Sequence, residues 1–250
     1  MQRYIFLDLD DTLFQTLRKC PDASDPRLQV RACLPDGTPN SYATAKQQWL
    51  WDWFNQGFRV VPVTARDMDA YRRVIGLTFQ EEQIINHGGV ILDKHGGIDP
   101  VWMEKMLQAL PLHQAAFKRI WADIEAFCAQ NDRYNVRLAQ DLGITWYGYI
   151  KHQGGTEAAL ADLLAMVKTH PAVQDGGVYW HINGNNLAVL PKIIAKENAV
   201  AYLLAKYHQD HREVLSFGAG DSKTDAPFLA LCDYALIPKG TQLHQKLAGQ

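Results

Sequence analysis

Three short apolar segments of the chain end in polar residues, and this arrangement constrains the possible fold most strongly. The segments are Tyr4–Leu9, Phe58–Val63 and Glu213–Phe217. Apolar runs of this length are typical of strands that are buried on both faces of a parallel sheet. Their carboxyl ends carry Asp8 and Asp10, Thr64, and Asp221 followed by Asp225, respectively. Since parallel strands present these ends at one edge of a sheet, we expect the five side chains to lie close together.

Helical patterns alternate with the strands. Apolar residues repeat at helical spacing from Tyr42 to Gln56, and Gly57 is predicted to occupy the C′ position just after the helix. A second amphipathic helix is predicted to begin near Ala195 or Lys196. This alternation predicts an α/β fold with a doubly wound, Rossmann-like parallel sheet.

Residues 93–186 follow a different pattern. A helix is predicted over Leu112–Cys128, followed by two strands, a helix that Thr156 caps, and two further strands. We therefore predict two domains. Residues 1–92 and 187–250 form the parallel-sheet domain, and residues 93–186 form an inserted α/β domain.

The composition excludes several classes of protein. The 250 residues carry 25 Lys and Arg against 27 Asp and Glu, with no run of five like charges, so neither a nucleic acid nor an anionic membrane is expected as the main partner. Two early carboxylates, Asp8 and Asp10, interrupt the segment where a signal peptide would need its apolar centre. The four cysteines are widely spaced without a metal-binding pattern. We therefore expect a cytoplasmic protein.

The residues predicted at the sheet edge suit phosphate chemistry. Asp8, Asp10 and Asp221 offer hard oxygen ligands of the kind that Mg²⁺ prefers. Thr64 with the backbone N–H groups beyond it, and Lys196 at a helix start, offer donors and positive charge to a phosphoryl group. A carboxylate nucleophile, an acid/base, a metal ion and a cation are the parts needed for phosphoryl transfer through an aspartyl-phosphate.

Four motifs in this order resemble those of the haloacid dehalogenase superfamily. They are Asp8–Thr12, Val63–Thr64, Lys196 and Gly220–Asp225. The inserted segment, together with Asn86–Gly89 and Asn186–Leu190, is similar to the Cof and sucrose-phosphatase-like branch, whose members carry a large α/β cap. The resemblance thus implies a core domain and an inserted cap that determines substrate specificity.

The resemblance also implies roles for individual residues. Asp8 would attack phosphorus, and Asp10 would protonate the leaving oxygen and then deprotonate water. Thr64, Ala65 and Lys196 would bind the phosphoryl oxygens. Mg²⁺ would be held by Asp8, the backbone carbonyl of Asp10, and Asp221.

Several positions depart from the motif pattern or allow more than one role. Asp11 stands where glycine is common, and Thr224 where the branch often has asparagine. Asp225 would bind the metal through water or orient the lysine. Arg66 could contact phosphate, or pair with Asp67 or Asp69.

The long connection after the first strand contains a possible hairpin. Arg27–Leu34, before the turn residues Pro35 to Gly37, could form one half of a flap. If the flap covers the site, Arg18, Lys19 or Arg31 could contact the substrate. In the inserted domain, Trp146, Tyr147 and Tyr149 could stack on a sugar or simply pack in the core.

The sequence thus predicts a Mg²⁺-dependent phosphatase that hydrolyses small phosphate monoesters, most of all sugar phosphates. Two alternatives remain open. A phosphomutase would use the same scaffold, and a regulatory protein would bind sugar phosphates without turnover. The oligomeric state is left open between monomer and dimer.

Overall fold

A computed structural model describes residues 1–249, which form two compact units. The first unit comprises Met1–Asp99 and the chain from Lys196 onward, and the second comprises Pro100–Ala195. None of the helices formed by residues 1–249 has the length and apolar character needed to cross a bilayer.

The strands and helices alternate along most of the chain. The strands are β1 (Gln2–Leu7), β2 (Gln15–Thr16), β3 (Gln29–Cys33), β4 (Pro39–Ala43), β5 (Arg59–Pro62), β6 (Gln83–Ile85), β7 (Val90–Leu92), β8 (Tyr134–Asp141), β9 (Ile144–His152), β10 (Val178–Asn183), β11 (Asn186–Pro191), β12 (Val214–Ala219) and β13 (Tyr234–Leu236). The helices are α1 (Ala45–Gly57), α2 (Met68–Arg72), α3 (Pro100–Cys128), α4 (Ala161–Thr169), α5 (Pro171–Gln174), α6 (Lys196–Asp210), α7 (Ala226–Leu229) and α8 (Gln242–Leu247).

The first unit is built on a parallel sheet in the order β13-β12-β1-β5. Tyr4–Leu7 of the central strand β1 are almost completely buried, as expected of a strand between two neighbours. A parallel bridge from Val63 to Ile84 continues the order beyond β5. The predicted α/β class with a parallel sheet is confirmed, and the carboxyl ends of β1, β5 and β12 lie at one edge.

A hairpin and a capped helix connect β1 to β5. β3 pairs antiparallel with β4, so the predicted hairpin is present. Thr44 and Gln47 form a capping box at the start of α1. The prediction that Gly57 follows the helix at C′ is wrong, because Gly57 is the last helical residue and the extended Phe58 is the C-cap.

The second unit has an antiparallel sheet in the order β10-β11-β9-β8. The apolar faces of α3, α4 and α5 pack on one side of it around Ile124, Ile150 and Leu187. Gly148 lies under the ring of Trp121, which leaves no room for a Cβ atom. α3 starts at Pro100, well before the predicted Leu112, and continues through Pro111.

The extension of α3 has a packing explanation. Trp102, Met106 and Leu110 recur every fourth residue and are buried, which favours helix before the proline despite the backbone hydrogen bond that proline removes. β11 pairs with β10 and β9, so residues 187–190 lie in the second unit of the structure. The domain boundaries given from the sequence stay a prediction.

A buried carboxylate gives the first unit a pH-dependent contact. Glu82 accepts hydrogen bonds from Lys206 Nζ (2.8 Å) and Tyr207 Oη (2.7 Å) of α6. Burial alone would raise the pKa of Glu82, but these two donors outweigh it and lower the pKa below the ordinary 4.5. A lowered folded-state pKa adds stability that is present above the unfolded value and is lost as the pH falls through the folded value.

We therefore expect Glu82→Gln to lower the free energy of unfolding at pH 7, and to lower it less and less as the pH falls below the ordinary pKa of 4.5. Urea denaturation of wild type and variant at pH values from 3 to 7 measures this difference. Glu81→Gln is the matched control, since Glu81 pairs with Arg59 at the surface. A difference between wild type and Glu82→Gln that does not shrink on acidification would contradict the assignment.

Candidate active site

Asp8 follows β1 directly and lies almost buried at the edge of the parallel sheet. Its backbone N–H donates to the carbonyl of Ala219, which continues the pairing with β12 (2.9 Å). Lys196 Nζ donates to Asp8 Oδ1 (2.6 Å), and Thr12 Oγ1 donates to Oδ2 (3.2 Å). Both carboxylate oxygens of Asp8 are therefore oriented by the protein.

The turn after Asp8 explains the aspartate that replaces the common glycine. Asp11 has a φ of 63°, in the left-handed region that glycine enters without strain. Asp tolerates this region better than most residues. The Asp11 side chain also pairs with Lys19. Hence Asp11 keeps the backbone turn that a glycine would give.

Lys196 and Asp225 form a buried ion pair behind Asp8. Lys196 begins α6, and its Nζ donates to Asp225 Oδ1 (2.6 Å) as well as to Asp8. Asp225 Oδ2 accepts from the backbone N–H groups of Asp221 (3.1 Å) and Ser222 (2.9 Å) and from Ser222 Oγ (2.7 Å). Four donors already occupy the two oxygens of Asp225, so its contacts favour orienting Lys196 over binding a metal.

Gly220 permits this arrangement by its size. A Cβ atom at Gly220 would lie 2.6 Å from the Cβ of Asp225, closer than two carbon atoms can approach. The glycine therefore allows the loop after β12 to fold tightly around the Asp225 carboxylate.

The carboxylates of this cluster repel one another. Burial first, and then the charges of Asp225 and Asp221, raise the pKa of Asp8 despite the contact with Lys196. Burial, Asp225 and Asp11 raise the pKa of Asp221 to about 7. For Lys196 burial opposes the charge, but Asp225 and Asp8 outweigh it and raise the pKa. The cluster thus carries more negative charge than one lysine balances.

A divalent cation fits this excess of charge. Asp8, Asp221 and Asp225 each offer a carboxylate oxygen, and these atoms lie within 4.8 Å of one another. The donors are hard oxygens, which suit Mg²⁺. Asp225 Oδ2 already accepts from three donors, whereas each oxygen of Asp8 accepts from one, so Asp8 and Asp221 are the better candidates for side-chain ligands.

Thr64 is buried at the end of β5 in a loop that a left-handed turn supports. His87 N–H donates to the Thr64 carbonyl (3.1 Å), and Asn86 N–H donates to the Arg66 carbonyl (2.8 Å). Asn86, His87 and Gly88 have φ values of 53°, 55° and 94°. The sequence predicted free backbone N–H groups beyond Thr64. The N–H group of Arg66 is not free, because it donates to Thr64 Oγ1 (3.2 Å). Ala65 lies between these two residues.

Arg66 pairs with Asp10, a partner that the sequence did not indicate. Its Nε and Nη2 donate to the two oxygens of Asp10 at 2.7 Å each, and Nη1 donates to the Ala70 carbonyl (3.1 Å). The two partners expected from the sequence are used elsewhere: Asp67 caps α2, and Asp69 pairs with Arg73.

The structure thus brings Asp8, Lys196, Asp221 and Asp225 into one cluster. Asp10 is outside the group of three acids whose oxygens lie within 4.8 Å of one another; both of its oxygens accept from Arg66, and 47% of its side chain is exposed.

Two hydroxyl residues of the site had no role predicted from the sequence. Thr12 bonds to Asp8, and Ser222 bonds to Asp225. Both residues lie inside motifs named above, Asp8–Thr12 and Gly220–Asp225, and their position in these motifs was the sequence signal that indicated a role. Among the flap residues, Arg31 is buried and bonded to Gln29 and Gln48, which does not suit a role in contacting substrate.

Solved structures with the same fold extend over nearly the whole chain. A protein described as related to trehalose-6-phosphate phosphatase is 18% identical, with a TM-score of 0.55 and coverage of 96% of this chain and 88% of its own. The sucrose-phosphatase from Synechocystis, solved with sucrose and phosphate, is 14% identical, with a TM-score of 0.57 and coverage of 100% and 97%. The C-terminal domain of trehalose-6-phosphate phosphatase from C. albicans is 16% identical, with a TM-score of 0.53 and coverage of 91% and 72%.

The chain has the haloacid dehalogenase fold. This finding confirms the fold that the four motifs predicted. At identities of 14–18%, the structural similarity establishes the fold and not the activity. Neither a family model nor a curated protein matches the sequence.

Proposed function

We propose that this chain is a Mg²⁺-dependent phosphatase that hydrolyses small phosphate monoesters, chiefly sugar phosphates, through an aspartyl-phosphate intermediate. The observation that best supports this function is the position of the Asp8 carboxylate at the end of β1. Lys196 and Thr12 orient this carboxylate beside the acid Asp221. Two of the solved structures that share the fold are sugar-phosphate phosphatases by name, which supports the choice of substrate class. The proposal includes a cytoplasmic location.

In the first step an oxygen of Asp8 attacks phosphorus. The new O–P bond forms as the bond to the ester oxygen breaks, and Asp10 gives that oxygen its proton. Asp10 then takes a proton from a water molecule, which attacks phosphorus and releases inorganic phosphate and free Asp8.

Lys196, Thr64 and Ala65 hold the phosphoryl oxygens during both steps. Lys196 directs two of its three N–H donors to Asp8 and Asp225, and we assign the third to a phosphoryl oxygen. Asp8, the backbone carbonyl of Asp10, and Asp221 would hold Mg²⁺, which when bound supplies positive charge against the phosphoryl oxygens and the crowded carboxylates. Asp225 orients Lys196.

The proposal is tested by release of inorganic phosphate from sugar, polyol, nucleotide and cofactor monophosphates, with Mg²⁺ and with EDTA. We expect release that requires Mg²⁺ and is concentrated on a few sugar phosphates. Analysis of the organic product separates hydrolysis from transfer of the phosphoryl group within the substrate. Absence of release from every compound by folded protein would refute the phosphatase assignment.

The pair of Arg66 and Asp10 gives a prediction about the leaving group. We expect Arg66→Gln to lower kcat for a sugar phosphate by about tenfold or more, because Asp10 is no longer held in place to give its proton. With p-nitrophenyl phosphate we expect a loss of about twofold, since nitrophenolate leaves without a proton.

Steady-state kinetics with both substrates measure the difference. Arg72→Gln, on the neighbouring helix α2, is the matched control and should change neither rate. Equal losses on the two substrates after Arg66→Gln would show that Arg66 does not act through Asp10.

A further inference from the structure

Helix α1 turns two tryptophans to the solvent. The exposed fraction is 68% for Trp49 and 44% for Trp53, whereas Trp51 and Phe54 on the other side of the helix are buried. A helix that packs on a domain core usually turns polar residues to the solvent. Exposed apolar surface of this kind is typical of a site where another molecule binds.

Aromatic neighbours hold the two indole rings in place. The ring centres of Trp49 and Trp53 are 6.3 Å apart, and their planes are inclined by 14°. The Trp53 ring also contacts the rings of Phe54 (5.2 Å) and Phe58 (5.8 Å). Since Phe54 is completely buried, the tryptophan pair is connected to the core of the first unit. Such a surface loses little conformational freedom when it binds a partner.

Two opposite charges flank Trp49 along the helix. Lys46 lies three residues before it and Asp52 three residues after it, and both are exposed. Asp52 accepts a hydrogen bond from Gln48 Nε2 (2.8 Å), but within residues 1–249 neither Lys46 nor Asp52 forms an ion pair. Helix geometry displaces them from Trp49 by about 4.5 Å in opposite directions along the axis and by about 60° to opposite sides.

This arrangement is complementary to itself. If two copies of α1 pack antiparallel across a two-fold axis beside Trp49, each residue meets the one that lies equally far from Trp49 in the other direction. Lys46 then lies level with Asp52 of the partner subunit. Trp53 lies level with the small Ala45 of the partner subunit. Each chain thus offers opposite charges, and a large and a small side chain, where its copy needs them.

We propose that a second copy of this chain binds to this face of α1 and forms a symmetric dimer. Trp49 and Trp53 lie at the centre of the interface, and Lys46 pairs with the partner's Asp52 on each side. A second copy is favoured over an unrelated partner because the face is complementary to itself in charge and in side-chain size.

The exposed aromatic area indicates a weak dimer. Trp49 and Trp53 together expose about 280 Å² if a whole tryptophan offers about 250 Å². A standard interface buries about 800 Å² on each partner, so the two residues supply about a third of that area. We therefore expect a reversible dimer with a dissociation constant between about 1 and about 100 μM.

Sedimentation velocity of the full chain from about 1 to about 200 μM tests for this dimer. Trp49→Ala should raise the dissociation constant at least about tenfold, because aromatic side chains at the centre of an interface contribute much of the binding. Leu112→Ala is the matched control. Leu112 is 81% exposed on α3, outside the proposed interface, and its change should leave the dissociation constant within about twofold.

Charge reversal tests how the two helices are aligned. Lys46→Glu places like charges opposite each other on both sides of the interface, and so does Asp52→Lys, so each variant alone should dimerise at least about tenfold more weakly. Both positions are exposed, and unfolding temperatures verify that the variants fold. An equimolar mixture of the two variants should recover the dimer to within about threefold of wild type, because opposite charges meet again in the mixed pair.

Three results would overturn the proposal. The first is wild-type protein that stays monomeric up to the highest concentration, even if this face then binds a different molecule. The others are a dimer that Trp49→Ala does not weaken, and a mixture of the charge variants that does not recover, because the copies would then meet in another way. These results are independent of phosphate release, so they do not decide the proposed function.

Discussion

Asp8→Asn should reduce Mg²⁺-dependent phosphate release by at least about a thousandfold while the protein remains folded. The amide cannot attack phosphorus, so no aspartyl-phosphate forms. The fold should tolerate the change because Asn can accept from Lys196 through its oxygen and donate to Thr12 through its nitrogen. Loss of a charge that burial already disfavours compensates in part for the weaker contact with Lys196.

Asp11→Asn is the matched control for this prediction. It makes the same chemical change three residues later, and Asn tolerates the left-handed backbone of Asp11. We expect it to lose only the contact with Lys19 and to retain turnover within a few-fold. Rates of phosphate release and the unfolding temperatures of the three proteins provide the comparison. Substantial turnover by Asp8→Asn would remove Asp8 as the nucleophile.

Lys196→Met should affect both stability and activity. Removal of the ammonium group leaves Asp8 and Asp225 buried without their cation, and breaking a buried ion pair in this way costs about 3–5 kcal/mol. The loss of a donor to the phosphoryl group should lower kcat by about a hundredfold or more. Denaturant unfolding and steady-state kinetics measure the two effects.

Lys206→Met is the matched control on the same helix. Lys206 pairs with Glu82 and is partly exposed, so its loss should cost much less stability and leave kcat unchanged. If Lys196→Met does not fold, Lys196→Arg provides the test, because it keeps the charge but not the compact donor. We expect Lys196→Arg to fold and to lose most activity. Full activity of either Lys196 variant would contradict its role at the phosphoryl group.

The places of Asp8, Asp221 and Lys196 in the fold follow from local sequence signals. Asp8 and Asp221 follow buried strands, and the hydrophobic runs that define those strands are local signals. Lys196 starts a helix whose apolar face was visible as a periodic pattern. Parallel strands then bring these residues to one edge without any further information.

The choice between nearby partners could not be predicted in the same way. Asp10, Asp67 and Asp69 are all possible acidic partners of Arg66. In the structure Asp67 caps α2 and Asp69 pairs with Arg73, so Arg66 pairs with Asp10. The sequence did not predict that α3 starts at Pro100, because a proline such as Pro111 normally ends a helix. Burial of the apolar residues before Pro111 stabilises the longer helix. Both outcomes depend on contacts between elements.

The hydrogen bonds of Asp225 connect the residues of the candidate active site into one cooperative unit. A single carboxylate fixes Lys196 through one oxygen and the Asp221 loop through the other. We therefore expect the effects of substitutions at Lys196, Asp221 and Asp225 on stability to be non-additive, because the first substitution already breaks hydrogen bonds that the other residues share. Any redesign of this centre has to change these residues together.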